Sequence, residues 1–421
     1  MTLAQQDQAV IWHPYTQMQT APLPIGIVKG EGAYLITEEG VKLIDAISSW
    51  WVNIHGHAHP YIAQKVFEQL QTLEHCIFAG FTHKPAVELA QKILSILPQN
   101  QKKIFYTDNG STAVEVALKM SLQFWSNKGQ KRLKILAFEN SYHGDTFGAM
   151  AVSGRSAFTA PFETLLFDVV FIPTPKNDNL ENLKAQITKH KEDLACFIFE
   201  PLVQGASGML MYEAKYLDQL IAHCNKENIL TIADEVMTGF GRTGKLFATD
   251  HLIHKPNMMC FSKGITGGTM PLGLTTCTQN VYNAFLSDDK LKTLFHGHSF
   301  TANPVACASA LASWDLLMLP QTMQNIERIT AQHAAFKSKI ENHPKLKNVR
   351  QTGTILALEW QNNASTSYFS DLRNQLYDFF ISKNIILRPL GNIIYILPPY
   401  CITQTDLEYI YQQIELALEI F

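Results

Sequence analysis

Two residues carry most of the chemistry written into this chain. Lys263 follows an apolar run, 258–262, and precedes Gly264, Gly267 and Gly268. A lysine between an apolar strand and a glycine-rich turn is shielded from water, and desolvation lowers the pKa of its ammonium group. The neutral amine that results is a nucleophile toward carbonyl carbon. Asp234 ends a second apolar run in the stretch ILTIADEVMTGFGRTG and is followed at once by Glu235. An acid at the carboxyl end of a buried strand lies on the edge where open α/β sheets bind ligands.

A buried amine and a buried carboxylate together fit one cofactor, pyridoxal 5'-phosphate. Lys263 would take its aldehyde. Asp234 would pair with its ring nitrogen and keep it protonated, so that the ring accepts carbanion charge. Such a cofactor needs a phosphate site. The stretch YTDNGSTAVE supplies one: Asn109 and Gly110 turn the chain, and Ser111 and Thr112 open a helix. The free N–H groups and the dipole of a helix start bind phosphate, although taken singly the motif is an ordinary helix cap. A second candidate is HGHSFTANP, where Ser299 offers a hydroxyl. In SYHGD, Tyr142 could stack on a flat ring or be a half-buried turn tyrosine.

Other residues suit a substrate. Trp12, Tyr15, Trp50 and Trp51 form an aromatic group near the N-terminus. Read as a strand, SSWW points its adjacent indoles to opposite faces, so one lines a pocket. Arg388 closes the apolar run 385–387, and arginines are few, seven against 27 lysines. An arginine there can clamp a carboxylate with two hydrogen bonds or form a surface ion pair. His55, His57 and His59 alternate, as do His296 and His298, but no carboxylate or cysteine clusters with them. A metal site needs three or four ligands and supporting partners, so none is expected.

The elements that must hold these groups follow from the apolar pattern. Strand-like runs at 103–107, 134–138, 169–172, 196–199, 229–233 and 258–262 alternate with helical patterns such as 113–124 and 216–225. Continuous apolar strands between helices predict a mostly parallel sheet covered on both faces. The last hundred residues differ. A long helix is expected from near Asn303, then a strand at 354–360, a helix at 370–382, strands at 385–387 and 393–397, and a final helix capped by Thr405 with Glu408. A hairpin at 33–37 and 42–44 would join this smaller α+β unit. The expected division is 1–50 and 311–421 for the small domain, and 51–310 for the large one.

Composition agrees with a large buried core. Of 421 residues, 46% are hydrophobic and only 17% charged, with a net charge of -3. That balance excludes a disordered charged tail and speaks against nucleic-acid binding, which needs a basic excess. Apolar runs fall short of the roughly 20 residues of a spanning helix. The polar N-terminus shows no signal pattern. The seven scattered cysteines suit reduced thiols in the cytoplasm.

Taken together, DEVMTGFGRTG followed by a lysine between Ser262 and Gly264 resembles the class III, fold-type I aminotransferases that use pyridoxal phosphate. The resemblance spans nearly the whole chain. It implies an α/β fold with a mostly parallel seven-stranded sheet in the large domain. It implies that Lys263 carries the cofactor and moves the proton, that Asp234 pairs with the ring nitrogen and that Tyr142 stacks on the ring. Gly110 and Ser111 would hold the phosphate, and Ser299 would reach it from the partner subunit of a homodimer with shared active sites. Tyr15, Trp50 and Trp51 would border the substrate pocket and Arg388 would bind a carboxylate. Asp145, Arg242 and Gly297 would lie close by. Two positions depart from the usual motif: Ser299 stands where threonine is common, and Ala302 where glycine is common.

Within the class, WHPYTQM, DAISSWWVNIHGHAHP, FSKGITGGTMPLG and HGHSFTANP are similar to the members acting in biotin synthesis. That similarity implies S-adenosylmethionine as amino donor and 8-amino-7-oxononanoate as acceptor. Lysine as donor, another ω-amino acid substrate, and a non-catalytic protein on the same fold are the competing readings.

Overall fold

The computed structural model describes residues 1–361 and 371–421. Its centre is a seven-stranded sheet, in the order Gln101–Thr107, Gly273–Thr278, Met258–Phe261, Leu230–Asp234, Leu194–Phe199, Lys134–Phe138 and Val169–Ile172. Gly273–Thr278 runs antiparallel to both of its neighbours, and the remaining pairs are parallel. The three middle strands from 194, 230 and 258 are buried at every position. Successive residues feed opposite cores, as the period of two requires. Phe197, Phe199 and Ala233 pack with Leu217, Leu220 and Ile221 of helix Ala214–Lys226. Ile198, Ile232 and Met258 pack with Ala113, Val116 and Ala117 of helix Gly110–Asn127. The continuous apolar runs therefore reflect helices on both faces.

The expected hairpin forms as Tyr34–Thr37 and Lys42–Asp45, with Ile27–Glu31 outside it. Ile385–Ile386 adds to Lys42–Asp45 as a parallel strand, so residues from both ends of the chain share one sheet. Leu346–Thr352, Ile355–Trp360 and Ile393–Ile396 make a further antiparallel sheet.

Two expectations change, and a third is met as far as the described residues reach. The helix opened by Asn303 runs only over Pro304–Leu317, and a second begins at Pro320; proline lacks the N–H needed to continue a helix but suits a first turn. The helix expected at 370–382 runs over Asp371–Ser382, and Ser370 lies outside the described residues. The final helix is capped by Thr403 with Asp406, not Thr405 with Glu408. The Thr403 hydroxyl accepts from Asp406 N–H at 3.1 Å, and the Asp406 carboxylate accepts from Thr403 N–H at 3.2 Å. Both pairs fit the capping spacing, and the helix starts two residues earlier than the expected one. Among the described residues, no helix is long and apolar enough to cross a membrane.

Candidate active site

Lys263 leaves strand Met258–Phe261 and enters a single 3₁₀ turn, Lys263–Thr266, at φ +49°. Gly267 ends that turn at φ +63°, where a side chain other than glycine is strained. The lysine Nζ sits 4.6 Å from the Trp51 ring centre. Burial pushes its pKa down to about 8, while Asp234 and Glu200 pull the other way. As pH rises through about 8, the amine therefore loses its charge and gains nucleophilicity. Cofactor-free protein is expected to take up pyridoxal phosphate faster as pH rises through this value and to level off above it. Stopped-flow absorbance checks this, and an uptake rate indifferent to pH there contradicts the lowered pKa.

Asp234 ends strand Leu230–Asp234 and is nearly inaccessible. One carboxylate oxygen accepts from Val236 N–H at 3.1 Å and the other from His143 Nδ1 at 2.7 Å. Glu200 stands just beyond the neighbouring strand Leu194–Phe199. It accepts from the N–H groups of Tyr142 at 2.9 Å and Gly205 at 3.0 Å, and burial raises its pKa to about 7. Parallel strands with ends in register thus deliver two acids and, one strand further, the lysine to one edge.

These groups line a cavity of about 290 Å³ together with Gly110, Ser111 and Tyr142. The cavity fits a pyridoxal phosphate. Among the described residues, the buried His143 Nε2 has no hydrogen-bond partner. Helix Gly110–Asn127 opens here, capped by the Asn109 side chain, which accepts from Thr112 N–H at 2.9 Å. A Cβ on Gly110 would lie 2.7 Å from Val236 Cγ1, and one on Gly144 would collide with Ser111 Oγ. An amine of lowered pKa, a paired carboxylate, an aromatic wall and a helix start answer the cofactor's aldehyde, ring nitrogen, ring face and phosphate.

A second cavity of about 460 Å³ shares Lys263, Trp51 and Tyr142 with the first. Tyr15, Trp50, Asp145 and Arg388 line it too. Tyr15 donates its hydroxyl to the Asp145 carboxylate, as does Tyr142 at 3.0 Å. Burial, foremost, and these neighbours push the Tyr142 pKa up. The Tyr15 ring lies 5.9 Å from Trp50 and 5.6 Å edge-on from Phe158. The Arg388 guanidinium stands 4.3 Å over the Trp50 ring.

The expected strand with one indole in the pocket does not form; both indoles line the second cavity. Ser48–Trp51 is a distorted helical turn with non-helical angles at Ser49 and Trp50. Trp51 is 5% exposed and Trp50 39%.

Four expected residues line neither cavity of their own chain, the first being Trp12, which is exposed. Arg242, 1% exposed, sits behind Trp51. Its guanidinium donates to the Pro398 carbonyl at 2.8 Å and the Trp51 carbonyl at 3.4 Å, and lies 5.2 Å from the Tyr400 ring. It supports the wall instead of lining it. Gly297 and Ser299 are exposed on the irregular segment 293–303. Conversely, His143, Glu200, Phe158 and Tyr395 line the cavities without having been singled out. Glu200 carried the same signal as Asp234, an acid directly after an apolar strand. Phe158 and Tyr395 carried none beyond being aromatic.

Fold and site together define a pyridoxal-phosphate-dependent transferase of fold type I. The chain belongs to the class III aminotransferases: the family model described as aminotransferase class-III matches residues 15–418. The adenosylmethionine-8-amino-7-oxononanoate aminotransferase of Synechococcus elongatus is 46% identical over 414 residues, covering 96% of this chain and 97% of that protein. A protein of the same name from Geobacter sulfurreducens is 38% identical, covering 99% of this chain and 97% of that one. The crystal structure of the Methanocaldococcus jannaschii protein of that name matches with a TM-score of 0.95 at 34% identity, covering 99% of this chain and 98% of that one.

Proposed function

We propose that this chain transfers the amino group of S-adenosylmethionine to 8-amino-7-oxononanoate, giving 7,8-diaminononanoate for biotin synthesis. The carrying observation is the second cavity: aromatic walls, two arginines, Arg155 and Arg388, and one carboxylate, opening onto Lys263. Its contents match the two substrates in turn. Arg388 offers a clamp for the acceptor's carboxylate. Trp50, Trp51 and Tyr15 cover an aliphatic chain and also favour a sulfonium cation through their ring faces. Near-full-length likeness to proteins named for this reaction supports the same reading.

Bound pyridoxal phosphate supplies an electron sink for the carbanion formed when a substrate carbon loses its proton. The protein's part is positional and proton-based. Lys263 Nζ takes that proton and later returns one. The Asp234 carboxylate, oriented by His143, would hold a proton on the cofactor's ring nitrogen. Tyr142 would bear on the ring face, while Gly110 and Ser111 would present donors to the phosphate.

The active unit in this reading is a cytoplasmic homodimer in which Ser299 reaches the neighbouring subunit's phosphate site and Gly297 lies close by, at the substrate. Both are exposed in their own chain, beside the exposed rings of Phe295 and Phe300.

The Asp145 carboxylate would also suit the distal ammonium of lysine, so the test carries both donors. Each is mixed with the holoenzyme and the visible absorbance of the cofactor is followed. S-adenosylmethionine is expected to bleach it, and 8-amino-7-oxononanoate to restore it. Bleaching by lysine alone replaces the donor. Turnover of 4-aminobutyrate with no response to 8-amino-7-oxononanoate overturns the assignment.

A further inference from the structure

The turn carrying Trp50 and Trp51 is unusually constrained. Ser48, Ser49 and Trp51 sit at φ +52°, +59° and +67°. Residues with a Cβ crowd their own backbone there, and such conformations persist only where the surroundings hold them. Observed strain of this kind gathers around functional sites.

The holder at one end is Asp45, which is fully buried. Its carboxylate accepts from Ile47 N–H at 3.2 Å and from Ser49 N–H at 2.8 and 2.7 Å. It also accepts from the Ser49 hydroxyl at 3.1 Å and, from outside the turn, His57 Nε2 at 2.8 Å. His57 is itself fixed. Its N–H donates to the Gly32 carbonyl at 2.7 Å, and its carbonyl accepts from Gly32 N–H at 3.2 Å. Gly30 makes room for it, since a Cβ there would lie 2.6 Å from His57 Cβ. At the other end, the Ser48 hydroxyl donates to the Leu397 carbonyl at 2.8 Å and the Trp51 indole to the Tyr395 hydroxyl at 3.1 Å.

We propose that the Asp45–His57 pair is a positioning device that holds the Ser48–Trp51 turn and thereby sets the substrate cavity's aromatic walls. The inference rests on reading that cavity as the substrate site. Neither residue lines the cavity; both act through Ser49. A carboxylate held by His57 has fewer orientations open to it and keeps its oxygens on the Ser49 amide. Removing the His57 donor leaves a buried carboxylate oxygen short of a partner, and frees the turn to relax toward ordinary angles. The same assignment gives a role to the middle histidine of HGHAHP, whose first, His55, is tied to the Ser313 hydroxyl at 3.1 Å.

The test compares His57→Leu, which removes the donor, and His57→Gln, which keeps an N–H near the same place, with the unaltered holoenzyme. Amide hydrogen exchange over residues 45–52 reads the turn directly. The half-saturating concentration of 8-amino-7-oxononanoate, set against kcat, reads the consequence for the cavity. His57→Leu is expected to speed exchange in the turn and to raise half-saturation about tenfold, with a smaller change in kcat and full cofactor absorbance. His57→Gln is expected to bring both back toward the unaltered values. Unchanged exchange in His57→Leu overturns the holding role, and faster exchange with unchanged half-saturation overturns the link to the cavity. Parallel losses of stability, cofactor and kcat in both variants mark a purely structural pair and also overturn it. If the unaltered enzyme ignores 8-amino-7-oxononanoate, the substrate reading falls by itself. Exchange, with half-saturation for whichever donor bleaches the cofactor, then decides the role of the pair.

Discussion

Replacing Lys263 with alanine is expected to cut transamination by at least about a thousandfold, because one amine serves both as the cofactor's anchor and as the proton carrier. The site offers no ready substitute. The other ionisable side chains of the cofactor cavity are Asp234 and Glu200, both held by hydrogen bonds, Tyr142, whose pKa is raised, and His143, whose Nδ1 is committed to Asp234. Folding should survive. Alanine shortens a side chain that lines two cavities, so no packed core is opened, and the desolvation that lowers the lysine pKa disappears with it. The measurement is the single-turnover rate with saturating donor and added pyridoxal phosphate, alongside the thermal unfolding midpoint. A variant that cycles at the wild-type rate removes Lys263 from the mechanism.

The second large effect belongs to Asp234. Asp234→Asn keeps the shape and leaves an amide oxygen to accept from His143, but it removes the charge that holds a proton on the ring nitrogen. The rate is expected to fall by about a hundredfold or more, the scale on which preorganised electrostatic partners act. Both half-reactions should suffer, since each passes charge into the same ring. Substrate half-saturation should change little, because Asp234 lines only the cofactor cavity. Rapid-mixing absorbance with donor and with acceptor separates these quantities. Equal rates in variant and wild type reject the role, and a rise confined to half-saturation moves Asp234 to substrate binding.

The chemistry was legible because its signals are local. Lys263 and Asp234 each follow a buried apolar run, and the parallel-sheet rule says where such run ends lie. The helix start at Gly110 announced itself through Asn109. The same rule would have found Glu200 after the run 196–199. The turn at Ser48–Trp51 was not legible. Two serines and two tryptophans do not separate a strand from a kinked turn, and its backbone angles are held by Asp45 and His57 at one end and by Leu397 and Tyr395 at the other, groups distant in sequence or outside the turn. Arg242 shows a related gap. Its place directly after a glycine-rich stretch suggested the site, yet the main-chain carbonyls of Trp51 and Pro398 claim its guanidinium.

Residue order alone therefore settles the periodicities and the acids and amine at strand ends, since each depends on neighbours within a few positions, whereas two equally spaced pairs left the last helix cap open. Which side of Trp51 faces the lysine, which faces Arg242, and whether Tyr15 meets Asp145 depend on groups far apart in the chain. Those are decided when parallel crossovers bring the strand ends to one edge and the Asp45–His57 pair fixes the turn beside it, because packing and buried hydrogen bonds act through space and leave no periodic trace in the sequence.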